Sequence, residues 1–158
     1  MYPTLMHTGR RVSHVDAHRL DRFNVRASDI LCVRTGTLGP CAIVDPGCEG
    51  MLFSTGLIRL RIKAVDKIDP HYLIAFLSLP STVAWIENKA AGTSIPSISS
   101  STLKKLSVPL PPLDEQRRIG AEVAAADEQI ALLHQKIQDR DQQRVDTATA
   151  LFARLPRG

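Results

Sequence analysis

The stretch Arg34-Thr35-Gly36-Thr37-Leu38-Gly39 sets one guanidinium and two hydroxyls on a segment that its two glycines must bend. Arginine and threonine can donate to phosphate oxygens or to base edges, and glycine supplies the positive φ of a tight turn. The chemistry alone serves an ordinary hairpin tip as well as a nucleic-acid contact. A second group is Thr93, Ser94 and Ser97, three hydroxyls within GTSIPS (92–97). They suit phosphates, and they equally suit a polar surface loop. Lys104 and Lys105 follow. These are solvated lysines by default, and phosphate contacts if the neighbouring loop meets nucleic acid. Arg59 and Arg61 alternate with apolar residues in LIRLRIK (57–63), which places them, with Lys63, on the wet face of a half-buried strand, and both are candidate DNA contacts.

Other chemistries find less support. His14 and His18 stand four apart, with His7 before them, but no third and fourth ligand accompany them, so they read as surface histidines. Asp29, Asp45, Asp66 and Asp69 fit turns and caps better than a metal-binding carboxylate cluster. Ser99 to Ser101 lack a base nearby in sequence. Cys32, Cys41 and Cys48 match no close-paired metal spacing, and Cys32 sits in an apolar run as a small core residue. Tyr72, Phe76 and Trp85 lie on apolar sides of helices and are expected in the core. Neither an NPPF, NPPY or DPPY motif nor an FxGxG cofactor loop occurs. No cofactor, metal or catalytic residue is therefore expected, and the chain is read as a non-catalytic component.

The elements that must hold these groups are short, until the last. Ile30 to Val33 and Cys41 to Val44 are apolar strand-like runs on either side of the Arg34–Pro40 turn, so a hairpin with that turn at its tip is expected. Asp69-Pro70 opens a helix, with an N-cap followed by proline at the first helical position. Tyr72, Leu73, Phe76 and Leu77 give that helix its apolar stripe. Pro80-Ser81 interrupts, and Val83 to Lys89 form a second short helix. A polar loop covers 90–101, a turn follows at Ser101 to Leu106, and VPLPPL (108–113) is extended because of its prolines. Asp114 then caps a proline-free stretch reaching about Leu155. Ile119, Val123, Ala126, Ile130, Leu133 and Ile137 step along it by 4, 3, 4, 3 and 4, the seam of a coiled coil. Arg140 and Arg144 break the seam, which resumes, shifted, at Val145, Ala148 and Phe152. At ~1.5 Å per residue such a helix runs roughly 60 Å, longer than a small domain can cover, so a partner helix is expected.

The fold class is therefore α+β. A small mixed β-sheet domain with short helices over 1–113 is followed by a long assembly helix over 114–155. The basic excess lies in the first part, where 13 Lys and Arg face 8 Asp and Glu; residues 114–158 hold 7 against 8. A polyanionic partner for the first part is expected. The 158 residues contain no apolar run long enough to span a membrane, and the N-terminus lacks the order of a signal peptide. A cytoplasmic setting with reduced thiols is the expectation.

In series, SDILCVRTGTLGPCAIV (28–44), FSTGLIRLRI (53–62) and the segment from DPHYLIAFL (69–77) through GTSIPSIS (92–99) to VPLPPLDEQRRI (108–119) resemble one repeat of a type I restriction-modification specificity subunit. The resemblance covers residues 28 to about 137. It implies a target-recognition domain that reads half of a split site in double-stranded DNA. It also implies a helix that packs against the equivalent helix of a second repeat or of another copy, and methyltransferase (modification) subunits as partners. Two departures stand out. One repeat is present where a full subunit has two, and the repeat is short at its front. A half-subunit, an excised domain and the tail of an adenine-N6 DNA methyltransferase all remain open. A pure protein–protein assembly module is the competing reading.

Overall fold

The computed structural model describes Ser13, residues 19–90 and residues 94–154; Thr93 and the three histidines at 7, 14 and 18 lie outside them. Within the described residues the chain forms two compact units, one up to Ala124 and one from Ala125 onward.

The first unit is built on a three-stranded sheet. Strands β1 (Ile30–Val33), β2 (Cys41–Ile43) and β3 (Leu57–Leu60) lie in the order β2-β1-β3, and both pairings are antiparallel. Ile30 stands opposite Ile43 and Cys32 opposite Cys41 across one ladder, and Ile30 opposite Leu60 across the other. The expected hairpin is present. β3 ends at Leu60 and does not run on to Lys63, because β1 begins at Ile30 and leaves Arg61 nothing to pair with.

Alternation along β1 divides the core. Ile30 and Cys32 pack with Cys41, Ile74 and Leu77 beneath helix α1 (Pro70–Leu77). Leu31, on the other face, packs with Val25 and Val44, bordered by Phe53 and Leu57. That second face is the one expected to be wet. The segment from Asn24 and the 3₁₀ turn Pro46–Cys48 cover part of it, so Arg59 is half-buried there. A third cluster joins Leu38, Ile58, Ile86, Ala90, Ile98 and Leu103.

Asp69 caps α1 as its sequence indicates, accepting from the amides of His71 at 2.9 Å and Tyr72 at 3.0 Å. The buried stripe is Tyr72, Ile74, Ala75 and Leu77, while Leu73 and Phe76 are half-buried. Helix α2 (Pro80–Ala90) starts three residues earlier than the sequence reading had it, since a proline at the first helical position gives up an amide that has no helical partner anyway. Ser99 caps the single turn α3 (Ser100–Leu103) through the Thr102 amide.

The last helix, α4 (Leu113–Phe152), is one 40-residue element. It opens one residue before Asp114, which sits in its first turn with Glu115, where the amide end of the helix favours negative charge. Its early turns are held by Gln116, 1% exposed. The Gln116 side-chain oxygen accepts from the Asp69 amide (3.1 Å), and its nitrogen donates to the carbonyls of Lys67 (2.9 Å) and Pro111 (2.8 Å). Tyr72 donates from its hydroxyl to the Pro109 carbonyl at 2.7 Å, fixing the proline-rich approach. A side chain at Gly120 would place its Cβ 2.7 Å from the Tyr72 amide nitrogen, so α4 approaches the start of α1 as closely as glycine allows. No helix among the described residues is long and apolar enough to cross a membrane.

Candidate nucleic-acid interface

Two loops distant in sequence meet at the β1–β2 end of the sheet. The Gly36 amide donates to the Pro96 carbonyl at 2.9 Å, and the Ile98 amide to the Arg34 carbonyl at 3.0 Å. Thr35 and Ser97 form an isolated antiparallel bridge between these bonds. Below, Leu38 and Ile98 share one buried cluster with Leu103. The Arg34 amide is satisfied by the Gly56 carbonyl at 2.8 Å. The backbone of this tip is thus tied down, and its side chains point elsewhere: Arg34, Thr35, Thr37, Ser94 and Ser97 are all exposed. Gly36 (φ +92) and Gly39 (φ +103) take the left-handed conformation that an L side chain rarely adopts. At Gly39 the space is closed as well, because a Cβ would stand 2.9 Å from Val83.

Lys104 and Lys105 are exposed directly after α3, whose Leu103 is rooted in the cluster under the two loops. Arg34, Lys104 and Lys105 make no ion pair within the described residues. The structure therefore brings Arg34, Thr35, Thr37, Ser94 and Ser97 onto two joined loops, with the lysine pair exposed after a turn whose Leu103 packs in the core beneath them.

Arg59 and Arg61 are placed differently. Arg61 clamps Asp29 with two bonds, Nε to Oδ1 at 2.8 Å and Nη2 to Oδ2 at 2.7 Å. Arg59 donates to the Asn24 carbonyl and stacks its guanidinium 5.5 Å from the centre of the Phe53 ring. Both are half-buried and hydrogen-bonded inside the domain. Asp29 is 2% exposed and also accepts from the Arg26 amide at 2.8 Å. Burial is the largest single influence on its carboxyl and works to raise the pKa. The hydrogen bonds from Arg61 and Arg26, with the charges of Arg61 and Arg59, together outweigh it and hold the group below the usual carboxylate range. Neither this pair nor the Gln116 anchor follows from the sequence pattern, which offers Asp114 as a cap and DEQ as part of VPLPPLDEQRRI. A cavity of about 300 Å³ opens at this opposite end of the sheet, lined in part by Arg26, Asp29, Arg61 and Arg117.

Along α4 the seam residues Ile119 and Val123 are half-buried and Ala126 is exposed. Ile130 is 41% exposed, and Leu133 and Ile137 are each 58% exposed.

The chain is similar in sequence and fold to known proteins. The family model for the type I restriction modification DNA specificity domain matches residues 8–139. The type I restriction enzyme MjaVIII specificity subunit of Methanocaldococcus jannaschii is 30% identical over 115 residues, covering 72% of this chain and 25% of that protein. The crystal structure of the type I restriction-modification S subunit from M. genitalium superposes with a TM-score of 0.67 at 25% identity, covering 84% of this chain and 34% of that one. The HsdS subunit from Thermoanaerobacter tengcongensis gives 0.54 at 26% identity, covering 84% and 35%. The chain belongs to the type I restriction-modification DNA specificity domain family. It spans about a quarter to a third of the length of the curated relatives it matches.

Proposed function

We propose that this chain is the DNA-reading module of a type I restriction-modification system, which directs a DNA adenine methyltransferase or restriction complex to its site and has no catalytic role itself. Residues 1–113 act as the target-recognition domain on double-stranded DNA, and residues 114–155 as the helix for assembly. The observation that carries this reading is the joined tip. Exposed donors at Arg34, Thr35, Thr37, Ser94 and Ser97 stand on loops joined by backbone hydrogen bonds, with Lys104 and Lys105 following the turn packed beneath them. Thr93 belongs to the same loop by sequence. The hydroxyls and Arg34 are donors of the kind that read base edges and phosphates, and the lysines supply charge for phosphate contacts. The setting is cytoplasmic. Methyl transfer from S-adenosylmethionine by the purified chain alone would count against the non-catalytic role.

The test is a titration of duplex DNA at low and moderate salt, with wild type and an Arg34→Ala, Lys104→Ala, Lys105→Ala variant. Each lost phosphate contact should reduce the salt slope by about 0.9 and weaken binding across sequences. Unchanged affinity with unchanged slope removes these residues from the interface.

The exposed seam supports the second half of the proposal. Ile130, Leu133 and Ile137, each worth roughly 1.5–3 kcal/mol on burial, call for a partner helix, in a homodimer, in a second repeat or in methyltransferase subunits. An antiparallel pair sets Arg140 and Arg144 near Asp114, Glu115 and Glu122 of the partner helix, whereas a parallel pair stacks arginine on arginine. Analytical ultracentrifugation of wild type and of Ile130→Asp, Leu133→Asp checks it: association is expected only in the wild type. A dimer that survives both aspartates places the interface elsewhere. If the chain associates but never binds DNA at low salt, the pure assembly module is the better reading.

A further inference from the structure

Cys32 and Cys41 stand directly opposite each other on β1 and β2. They are 6% and 5% exposed, and the Cys41 thiol donates to the Cys32 sulfur at 2.7 Å. Their position in the ladder matters. The Val33 amide bonds to the Pro40 carbonyl and the Val44 amide to the Asp29 carbonyl. Those bonds mark 33/40 and 29/44 as hydrogen-bonded positions, so by alternation 32/41 is a non-hydrogen-bonded pair. Such pairs bring their Cα atoms to about 4.5 Å, inside the 4.4–6.8 Å that a disulfide spans. Closing the bond asks for an approach of the sulfurs to about 2.05 Å, with no change of register. The two thiols are equally buried, and β2 is an edge strand, so an oxidant reaches Cys41 when that edge opens.

We propose that Cys32 and Cys41 form a two-electron redox pair, oxidised by a hydroperoxide to a cross-strand disulfide that latches the root of the Arg34–Pro40 loop. Cys41 Sγ attacks the distal peroxide oxygen. The O–O bond breaks, Cys41 keeps the transferred oxygen as a sulfenic acid, and the leaving hydroxide takes the Cys41 proton as the first water. Cys32 Sγ then attacks the Cys41 sulfur, the S–O bond breaks, and the expelled hydroxide takes the Cys32 proton as a second water. Two thiols and one hydrogen peroxide become one disulfide and two waters, and a thiol reductant reverses the change. The loop lies immediately beyond the pair on both strands, so the crosslink closes its base covalently. This inference concerns the hairpin itself and does not rest on DNA binding.

The experiment uses the full chain carrying Cys48→Ser, which removes the third, half-buried thiol and any link through it. The protein is exposed to hydrogen peroxide, then alkylated under denaturing conditions and weighed intact. Both remaining thiols are expected to disappear together, with the loss of two hydrogens, a 32–41 linked peptide and an unchanged monomer mass. Reductant should restore both. Amide hydrogen exchange across 34–40 should slow severalfold in the oxidised chain and recover on reduction. Two thiols still alkylated after an exposure that oxidises Cys48 in the wild type would overturn the proposal. So would sulfinic or sulfonic acid at either position without a crosslink, or a crosslink that leaves loop exchange unchanged.

Discussion

The two ends of the three-stranded sheet carry similar residues and use them in opposite ways. At the end where β1 begins, Arg61 is committed to Asp29, Arg59 to the Asn24 carbonyl, and the Arg26 amide to the same carboxylate. At the end where β1 leads into its loop, backbone bonds to Pro96, Arg34 and Gly56 carbonyls hold the chain, and the side chains of Arg34, Thr35, Thr37 and Ser97 are left over. An arginine with an internal acceptor has fewer donors left for a partner than one without. Counting basic residues along LIRLRIK cannot make that distinction, because the acceptor for Arg61 lies 32 positions away. The first end is bonded within the domain and the second is the one proposed for contact, and the difference can be measured.

Removing the guanidinium at the first end should have the largest effect on folding. Arg61→Ala leaves Asp29 buried and short of two bonds, and is expected to destabilise the chain by about 3 kcal/mol in urea titrations. Per folded molecule it should leave DNA affinity unchanged. The Arg34, Lys104, Lys105 triple alanine should do the reverse, losing affinity while its stability stays within about 0.5 kcal/mol of wild type. A stable Arg61→Ala chain with weakened DNA binding would erase the contrast between the two ends.

Gly120→Ala comes next. Its Cβ would meet the Tyr72 amide nitrogen at 2.7 Å and the His71 Cβ at 2.9 Å, and backbone must move to admit it. A loss of about 1–2 kcal/mol is expected, read as a lower thermal midpoint. A midpoint unchanged from wild type would show that α4 does not depend on this approach to α1.

The smallest effect is an acid signature. The folded-state pKa of Asp29 is depressed below its unfolded value, so its contribution is complete above the ordinary carboxylate pKa of about 3.9 and is lost as the pH falls through the folded value. Comparing wild type with Asp29→Asn, the stability advantage of the wild type should shrink as the pH is lowered below about 4. An advantage that is constant from neutral pH down to about 2 would mean that the carboxylate charge contributes nothing.

What the sequence determines here is local. The two apolar runs around RTGTLG specify a hairpin because glycine alone tolerates the turn between them, and Gly36 and Gly39 do take positive φ. Asp69-Pro70 specifies a helix start because a carboxylate before a proline satisfies the free amides of a first turn, and Asp69 accepts two of them. The long proline-free stretch specifies α4, and its heptad steps mark a row of apolar residues that is half-buried at Ile119 and Val123 and exposed from Ala126 to Ile137. Only the tertiary structure decides which distant groups meet. It sets Ser97 against Thr35, places Asp29 under Arg61, faces Cys32 with Cys41, and seats Gln116 on the carbonyls of Lys67 and Pro111. Periodicity, caps and turns follow from the bonding needs of neighbouring residues. Strand register and the partner of a buried charge follow from packing the whole core at once.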